Sequence, residues 1–520
     1  MSPSTRKALW AGGFVTVLAG LAWGHAVLLS RPSSWLVGIV PDDAFYYLKI
    51  ARHLAAGHGS TFDGIHSTSG YHPGWMVLLV PLAAVVTDPD ALLRGALILE
   101  LLLHMATGVA LTGLFRRFTS PGLAMIGALC WLANPFALHL SLQGVESALY
   151  ALSLVILLRS ALRVVEAPAT DLLPHFQLGG ALALCFLART EAGILAVLTC
   201  ALVAIRRRPA LRSTFLVAGT FALCVLPWIL YCWAATGSPW QSSGVAKALW
   251  ARQFLDPMSI PQRLTRVAVV VERWLGPPWI GGALDWPFEG ISPFLYAAVL
   301  PAAIGLLRSV RRPAENRPLI VGTVCLLGAS ILTGAVYGLF YWETPDWYHA
   351  QPALLIFIVT YLWITRVAAG NRWNPVLPAM LLLITLLGAI SFYRDPPVHY
   401  PWQRDFYTSQ AAFEKLVPTG EAIGCFNAGI PAFFGTRRIV NLDGLVNDSV
   451  VPYYRDRNLD RYFGEQGIHY LADESQCLDR VAPFMSGPLR LQPLASVPLH
   501  GLFSPRRVLW RVVDVKPAPR

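Results

Sequence analysis

Charge is scarce in this chain. Of 520 residues only 14% are Asp, Glu, Lys or Arg, against roughly 25% in an ordinary soluble domain. The 8 cysteines are too few for a disulfide-dense secreted scaffold. No Walker-type or dinucleotide glycine fingerprint follows a strand-like run. There is no Gly-x-Ser-x-Gly elbow, no Cys/His cluster with zinc spacing, no internal repeat and no low-complexity tract. What the chain has instead is apolar bulk: 55% hydrophobic residues and a mean hydropathy of +0.50. That excludes disorder and points to a membrane protein, in which the useful unit is a span of about 20 apolar residues. The net charge of +11 then reads as positive-inside asymmetry and attraction to anionic membrane lipids, not as a nucleic-acid surface.

The first apolar stretch, Leu9 to Leu29, follows the basic start Arg6-Lys7. It is too long for a signal core and lacks a clean small-residue cleavage site, so it reads as an uncleaved span with the N-terminus in the cytoplasm. Further spans are expected near 91–114, 121–138, 146–163, 177–190, 191–205, 213–234, 291–308, 318–340, 350–367 and 375–392, about eleven in all. The stretch from Trp75 to Val86 is too short to cross and reads as an interfacial or re-entrant helix. With that assignment every expected cytoplasmic turn is basic: Arg116 and Arg117, Arg159 and Arg163, Arg206 to Arg208 with Arg212, Arg308 to Arg317, Arg366 and Arg372.

Three large segments then fall outside: 31–90, 235–290 and 393–520. The middle one carries Trp240, Trp250, Trp274, Trp279 and Trp286, a pattern suited to amphipathic helices lying on a membrane. The last has a helical stretch near 407–416 and strand-like runs at Ala422–Phe426, Arg438–Leu442, Ile468–Ala472 and Val508–Val515. The expectation is an all-α polytopic transmembrane domain over 1–392, with outer loops 31–90 and 235–290, and a small extracytoplasmic α/β domain over 393–520. Six cysteines lie in apolar segments. Cys425 and Cys477 lie in the polar C-terminal part and are a candidate disulfide if that part faces an oxidising compartment.

The densest polar cluster opens the first outer loop: Asp42-Asp43-Ala-Phe-Tyr46-Tyr47-Leu-Lys49, then Arg52, His53, Gly57-His58-Gly59 and Ser69-Gly70-Tyr71-His72-Pro73-Gly74-Trp75. One acid is accounted for by capping a helix that starts here and ends at Gly57. Two adjacent acids repel unless a cation or a proton compensates, so a general base or metal ligand is an equal reading. Glu146, after Gln143-Gly144-Val145, stands at the outer start of a span and can line the same cavity. Tyr348 and His349 close an aromatic run from Tyr341. Arg189 and Glu191 form an outer turn in which they pair, or in which the guanidinium faces a lipid phosphate. Lys247 and Arg252 are weaker candidates. The run Asn441-Leu442-Asp443-Gly444-Leu445 reads as an Asx turn with glycine at positive φ. No metal site stands out, although Asp42, Asp43 and Glu146 are a possible oxygen set for Mg2+ or Mn2+.

With these motifs the chain resembles the GT-C superfamily of integral-membrane glycosyltransferases, in the bacterial branch related to protein mannosyltransferases and aminoarabinose transferases. The Asn441–Asn447 run also resembles the terminal domain of such proteins. The resemblance implies a polyprenyl-phosphate sugar as donor, a periplasmic lipid, glycan or protein as acceptor, and inverting displacement in a bacterial inner membrane. It implies Asp42 as first choice for the general base and Asp43 as second, with Glu146 placing substrate. Lys49, Tyr71, His72, Arg189, Tyr348 and His349 become candidates for the donor phosphate and substrate. A lipid or sugar transporter and a non-catalytic envelope scaffold are the rival readings; transporters usually carry mid-span polar groups and repeated halves.

Overall fold

The computed structural model describes residues 3–168, 170–206, 210–275, 313–341, 344–368, 376–487, 489–501 and 506–513. Among these, six helices are long and apolar enough to cross a membrane: Ala11–Leu29, Pro89–Phe115, Ser147–Glu166, Leu211–Thr236, Asp346–Arg366 and Val376–Arg394. Pro73–Val85, Pro121–Leu132, Leu173–Ala188, Thr190–Ala204 and Cys325–Phe340 are shorter apolar helices. The span expected at 291–308 lies outside the described residues, as do Trp279 and Trp286. The helix from Asp346 is the centre of the bundle, with 89% of its apolar window buried, whereas only 22% of the window in Leu211–Thr236 is buried. Leu211, Phe215, Leu223 and Trp233 are exposed along the latter, as a lipid-facing surface requires.

Local chemistry sets the breaks. The span expected at 121–138 is two helices, Pro121–Leu132 and Pro135–Leu140. Asn134 divides them, its Oδ1 accepting from the N–H groups of Phe136 and Ala137 at 2.9 and 3.1 Å. Pro135 at the first position has no N–H to lose. The 177–205 region also breaks where the polar residues stand, at a 3-10 turn Thr190–Ala192 that follows Arg189. Pro73–Val85 has 13 residues, about 20 Å of helix, short of a bilayer core of about 30 Å.

The last apolar helix ends at Arg394. After it, helix Pro401–Lys415 precedes a five-stranded sheet: β1 Ile423–Cys425, β2 Ile439–Asn441, β3 Tyr470–Glu474, β4 Leu491–Pro498 and β5 Arg506–Val512, in the order β2-β1-β3-β5-β4. β1 is parallel to β2 and β3, and β5 is antiparallel to β3 and β4. Each parallel connection needs a crossover; between β1 and β2 the short helix Gly429–Phe434 supplies it. Cys425 is a free thiol buried on β1, so the bridge to Cys477 considered from sequence is not formed. A core cluster runs without interruption from the first polar loop (Leu36, Phe45) into this region (Phe406, Ile430, Ile439).

The three segments expected outside all meet at one end of the bundle. Ser69 N–H donates to Asp448 at 3.0 Å, and Ser242 N–H donates to the Ser69 hydroxyl at 3.1 Å. Gly70 makes the closest approach: a Cβ there would lie 1.8 Å from the Leu445 carbonyl oxygen. Only glycine lets these two backbones touch.

Candidate active site

Helix Asp42–Ala55 starts at Pro41, and its first turn carries both acids. One peptide apart on a helix, they point in different directions. Asp42 is 9% exposed and faces the C-terminal region, where Oδ2 accepts from Gly429 N–H at 2.9 Å and Oδ1 from Ile430 N–H at 3.0 Å. Burial pushes its carboxyl up to about 7, against the opposing pull of those two N–H donors. Asp43, with a side chain 28% exposed, turns into a cavity, and its Oδ2 stands 3.7 Å from Lys247 Nζ. Asp42, the first choice for the base, is therefore occupied in holding helix Gly429–Phe434. The acid that faces open space is Asp43.

That cavity, about 40 Å3, is bounded by helix 42–55, the 70–72 loop, Glu146, helix Ser242–Leu255 and the 347–348 turn. Its wall is a chain of charge-assisted contacts. Arg189, 1% exposed, donates from Nη1 to Glu146 Oε1 at 2.5 Å and from Nε to Glu191. The guanidinium also lies 4.2 Å over the Tyr348 ring. Tyr47 donates to Glu146 Oε2 at 2.7 Å and accepts from His72 N–H at 3.2 Å. Lys247 donates to the Tyr348 hydroxyl at 2.7 Å. Burial opposes the lysine charge, but Tyr348 and Asp43 outweigh it and hold the amine protonated. His72 is 3.7 Å from Glu146. Burial, reinforced by Arg189 and Lys247, pushes its imidazole down to about 3, so at neutral pH this contact is not an ion pair.

Of the residues singled out in the sequence, Asp43, Tyr71, His72, Glu146 and Tyr348 line the cavity, with Arg189 directly behind Glu146. Lys49 lies farther along its helix, part-buried near Arg52, and is not among the lining residues. His349 sits one residue beyond Tyr348, also outside the lining. The weaker candidate Lys247 is the cation that reaches the cavity. The oxygen set Asp42, Asp43 and Glu146 does not converge on one cavity, because Asp42 is bonded elsewhere.

Two further residues contribute: the first carries a signal that the sequence reading did not use, and the second reads there chiefly as part of an Asx turn. Glu100 is a fully buried acid in the middle of helix Pro89–Phe115. It accepts from Gly144 N–H at 2.6 Å, while Trp75 Nε1–H donates to the Gly144 carbonyl at 3.1 Å. Gly144 has φ +68°, and this clamped turn presents Glu146. An ionisable group in a membrane helix is the signal that points to it. The second is Asp443. The Asx turn forms as expected, with Leu445 N–H donating to Asp443 Oδ1 at 2.7 Å and Gly444 at φ +80°. It also reaches the site: Tyr46 donates to Asp443 Oδ2 at 3.1 Å, and Trp250 Nε1–H to the Asp443 carbonyl at 3.1 Å. Burial pushes the Asp443 carboxyl up to about 7.

Two larger hollows flank the central cavity. One, about 420 Å3, runs from Phe186, Trp228 and Ile229 on the apolar helices to Gln241, Arg252 and Arg455. The other, about 460 Å3, is bounded by Lys247, Trp250, Phe254, Phe426, Asn427 and Asp443. The first is apolar at one end and cationic at the other. The second joins aromatic faces to acid and amide groups.

No protein-family profile matches the chain, and no curated protein matches it in sequence. Solved structures match it in fold. The chain is similar to ArnT from Cupriavidus metallidurans, solved bound to undecaprenyl phosphate: TM-score 0.55 at 13% identity, covering 100% of both chains. It is also similar to the apo oligosaccharyltransferase of Archaeoglobus fulgidus, with a TM-score of 0.50 and 13% identity over 91% of this chain and 71% of that one. At 13% identity the likeness is one of fold: the chain shares the architecture of these two proteins.

Proposed function

We propose that this protein is a membrane glycosyltransferase that moves a sugar from a polyprenyl-phosphate donor to an acceptor at the same membrane face, with Asp43 as general base. The observation that carries the reading is the pairing of Asp43 with Lys247 at the mouth of a small polar cavity, between an apolar-to-cationic hollow and an aromatic, acid-bearing one. The similarity in fold to a protein solved with undecaprenyl phosphate supports the same donor class.

In this reading the lipid tail lies along Phe186, Trp228 and Ile229, and the phosphate meets Arg252, Arg455 and Lys247. Arg189 is consumed by Glu146 and Glu191, so it shapes the wall and does not grip the phosphate. The acceptor enters past Trp250, Phe426 and Asp443. Asp43 takes the proton of the acceptor hydroxyl as its oxygen attacks the anomeric carbon. The bond from that carbon to the phosphate oxygen breaks on the opposite face, with inversion. The leaving polyprenyl phosphate keeps the bonding pair, and the fixed cations stabilise it. A phosphate is already a good leaving group, so one base and electrostatic stabilisation suffice. In this reading the end of the bundle opposite the basic turns faces the periplasm of a bacterial inner membrane; the charge bias of those turns supports that side.

The test is turnover by purified protein in liposomes, offered a panel of polyprenyl-phosphate sugars with lipid, glycan and peptide acceptors. Release of polyprenyl phosphate coupled to a glycosylated product supports the reading. Passage of intact donor across the bilayer without cleavage replaces it with a transporter.

A further inference from the structure

A second constellation lies apart from the cavity. His139 ends the short helix Pro135–Leu140, Asp346 opens the turn that carries Trp347 and Tyr348, and His399 lies in the linker between the last apolar helix and helix Pro401–Lys415. His139 Nε2 is 3.4 Å from Asp346 Oδ2, and His399 Nδ1 is 4.0 Å from the same oxygen. The two imidazole rings are 4.2 Å apart, centroid to centroid, and the three ligand atoms all lie within 4.8 Å of one another.

We propose that His139, Asp346 and His399 form a binding site for a divalent transition metal of the zinc class. Two nitrogens and one carboxylate oxygen are the donor set such an ion takes, at about 2.0–2.1 Å from each. Tetrahedral ligands at that range stand about 3.3 Å apart. The His139–Asp346 pair is already there, and His399 needs to close by about 0.7 Å on the same geometry.

Gln143 supplies an independent observation. It is fully buried, its Nε2 lies 2.5 Å from His139 Nε2, and its Oε1 has no partner. An amide crowded against the ring nitrogen that faces Asp346 and left half-satisfied marks a polar pocket whose arrangement is incomplete. With metal on His139 Nε2, that amide turns away and is released from the contact.

The role this assigns is a clip. Three ligands come from three separate elements, and the middle one begins the turn that presents Tyr348 to Arg189 and Lys247. Metal would tie the C-terminal linker to that turn and fix the ring. The proposal does not depend on the transferase reading.

The experiment is metal content of the full-length protein in detergent, after chelation and reloading with zinc, by inductively coupled plasma mass spectrometry. The wild type is expected to return with about one zinc per chain, and Asp346→Asn and His399→Ala to return with background zinc at unchanged monodispersity. Cobalt loading gives a second readout independent of those two variants. Wild type should show strong tetrahedral d–d bands, and His399→Cys should add a thiolate-to-cobalt charge-transfer band. A wild type that takes up no metal, variants that retain one zinc per chain, or a His399→Cys spectrum without the new band overturns the site.

Discussion

Asp42 and Asp43 are the same residue type on the same turn of helix, and their surroundings divide their labour. Asp42 takes two backbone N–H groups and ends buried; Asp43 keeps its side chain in the cavity opposite Lys247. Replacing Lys247 with Met should lower kcat by about 10- to 1000-fold, as expected for loss of a preorganised charge that stabilises a leaving phosphate, measured as donor turnover at saturating donor. The buried acids also set a pH response. Asp42 and Asp443 both hold their protons up to about 7, well above the ordinary range of an aspartate. Between about pH 4 and 7 the folded state then binds more protons than the unfolded chain, so stability falls as pH rises through that window. Asp42→Asn and Asp443→Asn should each flatten this slope, read as Tm by differential scanning fluorimetry between pH 5 and 8. An unchanged slope in both variants would show that these carboxyls are not the groups titrating. Which of the two acids faces the cavity was not legible from spacing, because both readings place an acid in the first turn. The choice rests on Gly429 and Ile430, nearly 390 residues away in the chain.

At the scale of elements, hydropathy located the apolar helices but not their interruptions. The 121–138 stretch is apolar throughout, and only the side-chain chemistry of Asn134 followed by Pro135 reveals that it is two helices. The 177–205 stretch was easier, since Arg189, Thr190 and Glu191 break the apolar run itself. Three of the five strands fall within or close to the expected runs, and β5 overlaps the fourth run. β4 was missed: it is an edge strand with a largely exposed face and carries Pro493 and Pro498, so it lacks the apolar alternation that marks a strand. Gly70 yields the sharpest prediction at this scale. Gly70→Ala drives a methyl into the Leu445 carbonyl, and the strain of such overpacking is about 1–3 kcal/mol. The expected result is a lower Tm and faster proteolysis of the C-terminal region; unchanged values would mean that the loop and the 443–448 turn are not in contact.

For the whole molecule, the informative fact is that three segments far apart in sequence converge at one end. Composition and charge bias assigned all three to the same side, and their contacts through Ser69, Gly70 and Ser242 are consistent with that. What no local pattern could supply was the arrival of the Asp443 turn against Tyr46, since distance along the chain says nothing of distance in a folded bundle. Topology can be checked directly. In a background with the native cysteines replaced, His58→Cys and Thr419→Cys should react with an impermeant maleimide from the periplasmic side of intact spheroplasts. Arg116→Cys should react only after lysis. Labelling of residues 58 and 419 from opposite sides would break the arrangement on which the site depends.

The most direct test of the central claim compares two adjacent substitutions in one assay. Sugar transfer from the polyprenyl-phosphate donor identified by the panel would be followed for wild type, Asp42→Asn and Asp43→Asn, all reconstituted and matched for monodispersity. With Asp43 as general base, Asp43→Asn loses about 100- to 10,000-fold in kcat, while Asp42→Asn keeps turnover to within about tenfold and shows its defect in stability. Full turnover in Asp43→Asn would contradict the account and remove the base from this cavity.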